Sequence, residues 1–255
     1  MTAVKPSIPD LVLLYGWGMN SAVWSGLPPA LTARLRAHPI DLPGHGGRDL
    51  DEARPALADW ADACLQQAPE RAVWLGWSLG GLVALRAALQ APHRVQALIL
   101  MATTPRFVQA MDWRVAMPEQ TFAQFNAALL DDPAATLERF LALQVRGSSE
   151  ARGTLRTLRA GLERFPPPQR SALATGLDLL CGEDLRGPLP DLRVPSLWLF
   201  GERDTLVPAA VAERIAVLLP QARTRVIAGA AHAPFLSHAD AVVAEIAAFL
   251  DEIIL

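Results

Sequence analysis

The chain has 255 residues, 51% of them hydrophobic and 19% charged, with a formal net charge of −3. That composition belongs to a globular protein with a sizeable buried core and excludes a disordered chain. No whole-molecule charge favours nucleic acid, and no apolar stretch is long enough to span a bilayer.

The first segment has one lysine, two prolines and an apolar run of only five residues, Leu11 to Tyr15. It does not read as a signal peptide, so a cytoplasmic, non-membrane protein is expected. Further along, short apolar runs bounded by glycine and proline alternate with helical patterns, as in a parallel sheet with crossover helices. The predicted strands are Leu11–Tyr15, His38–Leu42, Ala72–Gly76, Ala97–Met101, Ser196–Gly201 and Thr224–Ala228. Several are apolar nearly throughout, as strands covered on both faces are. Helices are predicted at Ser21–Ala33, Pro55–Gln67, Leu79–Gln90, Pro208–Leu218 and Ala239–Ile254.

The alternation breaks between Thr104 and about Arg193. Helical patterns there follow one another at Glu119–Leu130, Ala134–Gln144, Ser149–Phe165 and Gln169–Cys181. Asp132-Pro133 reads as an N-cap followed by a first-turn proline, and Pro166-Pro167-Pro168 stops one helix before the next. The predicted organisation is a core of 1–104 and 194–255 and an all-helical insertion of 105–193. Counted between the sixth and seventh strand segments, the insertion would sit over the strand C-terminal ends as a lid, where open α/β sheets bind ligands. Cys64 and Cys181 match no metal or redox spacing, which predicts two buried, reduced thiols.

Gly76-Trp77-Ser78-Leu79-Gly80 fits G-x-S-x-G where an apolar strand meets an apolar helix. In that setting the motif is a sharp strand-to-helix turn that projects Ser78 Oγ at a helix N-terminus, where free amides favour negative charge. The bland alternative is a glycine-rich turn whose serine only caps the helix. A serine hydroxyl becomes a nucleophile when a histidine takes its proton and a carboxylate orients the histidine. In the order Ser, Asp, His, the acid is sought after a late strand and the histidine after the last one. Asp204 lies in the loop after Ser196–Gly201; Glu202 and Asp191 are its rivals, and an ordinary Asx-turn is its bland reading. His232 lies in the small-residue loop after Thr224–Ala228. His45 also follows a strand but precedes Ser78, the wrong order, and His38, His93 and His238 fit less well. The oxyanion donors are expected to be the backbone amides of Leu79 and of Trp17 in Tyr15-Gly16-Trp17-Gly18. The Trp17 ring is a candidate wall of an apolar acyl pocket.

Five segments together resemble the pimeloyl-[acyl-carrier protein] methyl ester esterases of biotin synthesis, a family of α/β-hydrolases. They are Leu13-Leu14-Tyr15-Gly16-Trp17-Gly18, Asp41-Leu42-Pro43-Gly44, Trp74 to Val83, Arg139-Phe140-Leu141-Ala142-Leu143-Gln144 and Ala230 to Phe235. The resemblance runs over nearly the whole chain. It implies an α/β-hydrolase fold (a mostly parallel doubly wound sheet with a helical lid) and a carboxylesterase that frees methanol from the carrier-bound methyl ester. It also implies an acyl carrier protein as partner; the acyl transfer itself needs no cofactor or metal, and a monomer is expected. Family substrate contacts fall on Trp17, Ser78, Leu79, Phe140, Leu141, Ala142, Leu143, Gln144 and His232. Two departures stand out. Tyr15 replaces the usual histidine before G-W-G, and the ten residues before Leu11 leave little room for the leading hairpin common in the fold.

Charge adds a separate argument for the carrier. Between Arg139 and Arg170 seven arginines face two acids, a local +5 in a chain of −3. Arg152, Arg156 and Arg159 are spaced to share one helix face, and with Arg139 they form a candidate docking surface for an acidic partner. The alternatives are a solvated arginine face, a broad short-chain esterase or C–C hydrolase of the same fold, and a non-catalytic hydrolase-like binding protein.

Overall fold

The computed structural model describes residues 8–254 of the chain. Most of the room for a leading hairpin falls on residues 1–7, outside the described residues. Among the described residues lies one sheet of six strands, all parallel: β1 Asp10–Leu14, β2 Arg36–Pro39, β3 Ala72–Trp77, β4 Val95–Met101, β5 Ser196–Gly201 and β6 Arg223–Ile227. They lie in the order β2-β1-β3-β4-β5-β6. The chain reverses its direction of winding between β1 and β3, so a crevice opens at their C-terminal ends, the place where such sheets bind ligands. β3 and β5 are buried at every residue, whereas β2 and β6 at the edges are largely uncovered. This explains why the central strands read as continuous apolar runs and the edges did not. The edge strand β2 accordingly starts two residues before the predicted His38 and ends at Pro39.

The helices of the core are α1 Pro29–Thr32, α2 Leu57–Leu65, α3 Leu79–Gln90, α8 Val211–Leu218, α9 Pro234–Ser237 and α10 Ala239–Ile254. The helix expected over Ser21–Ala33 is instead a 3-10 turn, Ser21–Gly26, followed by the short α1. Pro28 and Pro29 divide them, since proline lacks the N–H that would continue the first turn. α2 and α3 pack against one another and α3 lies on β1, β3 and β4.

Four helices fill the segment between β4 and β5: α4 Glu119–Asp131, α5 Pro133–Gln144, α6 Ala151–Leu162 and α7 Arg170–Gly182. They follow the fourth described strand rather than a sixth, so the ordinal expected from sequence is corrected. Asp132 caps α5, its carboxylate accepting the Ala135 N–H at 3.0 Å. α4 contacts both α5 and α7, and α6 reaches the 3-10 turn and α9. The segment is fastened to the strand ends by Trp17 Nε1, which donates to the Leu173 carbonyl of α7 at 2.8 Å. Cys64 is fully buried, and burial raises its thiol pKa to about 12. Cys181 is half-buried, so the expectation of two buried thiols holds for one of them; it follows the buried Leu179 and Leu180 and precedes the exposed Gly182 at the end of α7. No helix among the described residues is long and apolar enough to cross a membrane.

Candidate active site

Ser78 sits between the last residue of β3 and the first of α3 with φ 56° and ψ −120°. A non-glycine residue in that region is strained and persists only where its surroundings over-determine it. Here the Ser78 N–H donates to Met101 O at 3.0 Å, and its carbonyl accepts the Thr103 hydroxyl at 2.8 Å. The turn also requires glycines. A Cβ on Gly76 would lie 2.5 Å from the Gly80 oxygen, and one on Gly80 would lie 2.4 Å from the Leu14 oxygen. Both glycines let α3 start directly against the strand ends.

Ser78 Oγ is 2.9 Å from His232 Nε2, and His232 Nδ1 is 2.7 Å from Asp204 Oδ2. All three residues are buried. A carboxylate only accepts, so Nδ1 carries the proton and Nε2 is left free to accept from the serine. The Asx-turn reading of Asp204 also holds, on its other oxygen: Oδ1 accepts the N–H groups of Leu206 and Val207 at 2.8 and 3.0 Å. The rival acid Glu202 is turned away and accepts the Gly229 N–H at 2.7 Å, pinning the start of the histidine loop. Asp191 lies in a 3-10 turn before β5.

His45, the rival histidine, is wholly buried between Tyr15 and Trp60, and its Nδ1 donates to the Pro43 carbonyl at 2.9 Å. Burial lowers its pKa to about 4 and outweighs the Pro43 hydrogen bond and the Asp41 charge. Tyr15, in the place of the expected histidine, accepts the Leu42 N–H at 2.9 Å. Burial first, and the Asp41 charge second, hold its hydroxyl well above the ordinary phenol value. His38 pairs with Asp10 at the far end of the sheet.

Leu79 is the first residue of α3, so its amide is one of the free N–H groups of a helix start. Among the described residues the Trp17 backbone N–H also has no main-chain acceptor. Ser78 and His232 open onto a narrow cavity of about 20 Å³, walled by Phe107, Met117, Phe122, Phe125, Phe140, Leu177, Leu180 and Leu206. Apart from Ser78 and His232, every side chain that lines it is apolar. Among the described residues no group of three or more His, Cys, Asp or Glu is arranged to hold a metal ion.

A family model described as the alpha/beta hydrolase fold matches residues 9–239. The pimeloyl-[acyl-carrier protein] methyl ester esterase of Xanthomonas oryzae pv. oryzae (strain MAFF 311018) is 47% identical over 234 residues, 92% of each chain. The protein of the same name from Edwardsiella ictaluri (strain 93-146) is 45% identical over 242 residues, 95% of this chain and 93% of its own. The chain belongs to the pimeloyl-[acyl-carrier protein] methyl ester esterase family of α/β-hydrolases. Its fold is shared with an esterase from Exiguobacterium antarcticum, at TM-score 0.82 and 20% identity over 95% of this chain and 92% of that one.

The structure of this α/β-hydrolase separates the residues of the Arg139 to Gln144 segment. Phe140 lines the cavity beside Ser78, whereas Arg139, Ala142 and Leu143 line an outer groove of about 420 Å³ between α4 and α5. Leu141 is wholly buried in the core. Gln144 is buried with neither side-chain amide atom partnered among the described residues, and its main-chain carbonyl accepts the His232 N–H at 3.0 Å. The Trp17 ring stands behind Phe140, edge to face at 5.0 Å, rather than walling the cavity itself. Of the arginines, Arg159 forms an ion pair with Glu138 at 2.7 Å, while Arg152 and Arg156 are exposed on the same face. Most of the cavity wall was not foreseen. Phe107 and Met117 lie outside regular elements, and only the paired aromatics Phe122 and Phe125 of α4 carried a signal.

Proposed function

We propose that this esterase hydrolyses the methyl ester of a pimeloyl-acyl carrier protein, yielding the carrier-bound acid and methanol, the substrate its relatives are named for. The observation that carries the chemistry is the hydrogen-bonded chain from Ser78 through His232 to Asp204, buried under an apolar wall. In this reading His232 takes the Ser78 proton as Oγ attacks the ester carbonyl. The oxyanion is met by the amides of Leu79 and Trp17. His232 then protonates the departing methoxide, leaving an acyl-serine. Water, deprotonated by the same imidazole, releases the acid and restores Ser78. Asp204 holds the tautomer and supports the imidazolium.

The apolar wall suits the methylene chain of the acyl group, and the absence of charge there favours a neutral ester over a free carboxylate. Residues 105–193 act as a lid through which the chain reaches the surface. The arginines of α5 and α6 (Arg139, Arg152, Arg156 and Arg159) are the docking face for an acidic carrier. The enzyme works in the cytoplasm. Incubation with the carrier-bound methyl ester tests the reading, with products followed by intact-protein mass and methanol assay. Methanol and pimeloyl-carrier in equal amounts are expected, together with growth of a biotin-requiring strain that lacks its own esterase. Release of free carrier thiol, or no methanol, would overturn it.

A further inference from the structure

His232 lies in the loop between β6 and α9, where no regular element fixes its main chain. Its peptide groups are held from outside, by two parts of the chain that are remote in sequence. The N–H donates to Gln144 O at the end of α5, and the carbonyl accepts Trp77 Nε1 at 2.7 Å. Trp77 is the residue before the serine, at the variable position of G-x-S-x-G, and it is wholly buried. Its ring packs against the His232 ring at 5.8 Å and edge-on against Phe235 at 5.0 Å.

We propose that Trp77 is a positioning residue: its indole N–H fixes the height of the His232 main chain, and so the reach of the imidazole to Ser78. The inference rests on Ser78 and His232 being the reacting pair. A strand residue next to the nucleophile thereby sets the distance between nucleophile and base directly, because the peptide it holds belongs to the base. The rest of the loop follows the same plan. Gly229 N–H is held by Glu202, and Ala230 O by the Arg203 N–H at 2.8 Å. Among the described residues, only the bond from Trp77 comes from the strand that leads into the serine.

The aromatic cluster supplies a matched control. Trp24 packs against Trp77 at 6.5 Å and against Phe235 at 4.8 Å, and its buried Nε1 has no partner among the described residues. Trp77→Phe and Trp24→Phe therefore remove comparable surface from one cluster, but only the first removes a hydrogen bond to His232. A second variant at 77, carrying benzothienylalanine (sulfur in place of N–H on the same ring system), deletes the donor without opening a cavity.

The measurements are kcat and KM on p-nitrophenyl acetate, the rate of Ser78 labelling by a fluorophosphonate, the pH profile of kcat/KM and Tm. Both Trp77 variants are expected to lose about 10- to 100-fold in kcat and in labelling rate, the size of effect that misplacing a reacting group brings. KM should stay within about twofold and the pH midpoint should move, because the imidazole no longer sits at the same place between Ser78 and Asp204. Trp24→Phe should keep kcat within about twofold. Full activity in the benzothienylalanine variant, or an equal loss in Trp24→Phe, would overturn the proposal. If wild-type protein itself resists the fluorophosphonate, the serine-esterase reading fails; if it is labelled and the Trp77 variants match it, only the role of Trp77 falls.

Discussion

Arg203 bridges the acid loop and the connection between α5 and α6: its Nη1 donates to the Gly147 carbonyl at 2.9 Å. Its main-chain N–H holds Ala230 of the histidine loop. One residue thus joins the acid loop to the histidine loop through its backbone and to the helical segment through its side chain. The guanidinium is exposed, so this bond contributes about 1 kcal/mol or less. Arg203→Ala is expected to lower kcat about two- to fivefold and Tm by no more than about 2–4 °C. A loss in Tm with kcat untouched would show that the contact serves stability alone.

The two oxygens of Asp204 predict an asymmetric result for Asp204→Asn. The amide oxygen can keep the Leu206 and Val207 N–H groups, so the loop should survive and Tm should change little. The amide NH₂ then faces His232 Nδ1 and turns the imidazole to the tautomer with its proton on Nε2, where it cannot accept from Ser78. A loss of about 10³- to 10⁴-fold in kcat is expected, smaller than that of Ser78→Ala. Steady-state kinetics with circular dichroism as the fold control decides it; a variant retaining a tenth of wild-type kcat would remove Asp204 from the reacting chain.

Much of this geometry was legible in the residues because each reacting group follows its own strand, and the strands before Ser78 and Asp204 are buried and almost wholly apolar. α3 begins and ends where its pattern predicts, Leu79 to Gln90, since the tight turn at Ser78 opens it and Pro92 soon follows its end. Edge elements were less legible. β2 has mostly exposed residues, and the prolines at 28 and 29 cut a periodic stretch into two short pieces. The cavity wall was hidden for another reason. Phe107, Met117, Leu177 and Leu206 come from four separate stretches, and apolar residues that meet only in the folded state leave no mark in local periodicity. Trp77 was visible only as part of a family motif, because a side chain-to-carbonyl bond across 155 positions has no sequence signature.

His45 predicts how stability falls with acid. Its pKa is about 4 in the folded protein, lowered by burial from an ordinary 6.5. The unfolded chain therefore binds a proton that the native state refuses as pH falls through 6.5. Stability is fully present above that value, declines between about 6.5 and 4, and levels off below. The whole effect is about 3 kcal/mol. Asp184, held at about 2 by the Arg186 hydrogen bond, loses its contribution only below its ordinary value near 4 and so does not overlap this window. Urea unfolding at pH 7.0 and 4.5 should show the decline in wild type and a much flatter dependence in His45→Asn, whose amide can still donate to Pro43 O. Identical slopes in the two proteins would mean that other groups carry the acid sensitivity.

Arg159 is tied to Glu138 by an ion pair, which sets it apart from the other arginines of the docking face. Reversing Arg159 would place two carboxylates side by side on α5 and α6, so its effect mixes carrier binding with damage to the helix packing. Arg152 and Arg156 are exposed without an ion-pair partner among the described residues. Arg152→Glu with Arg156→Glu should raise KM for carrier-bound ester at least about tenfold, with the difference shrinking as salt is added. Hydrolysis of p-nitrophenyl acetate should be unchanged. Equal losses on both substrates, or no salt dependence, would remove this face as the docking surface.

Phe125 is the shared wall between the cavity at Ser78 and the outer groove of α4 and α5, and its ring meets Phe140 edge-on at 6.0 Å. The space beside Ser78 holds little more than one water-sized sphere, so a chain of several methylenes needs more room than the closed wall leaves. Removing the ring joins that space to the groove. Phe125→Ala should therefore lower KM for p-nitrophenyl esters of eight-carbon acids relative to acetate, while kcat on acetate, whose acyl group does not reach the wall, stays within about twofold. The ring is only partly buried, so the stability cost should fall below the roughly 3–5 kcal/mol of a core phenylalanine. A chain-length profile identical to wild type would mean that the acyl chain leaves Ser78 by another route, past Phe107 and Met117 instead.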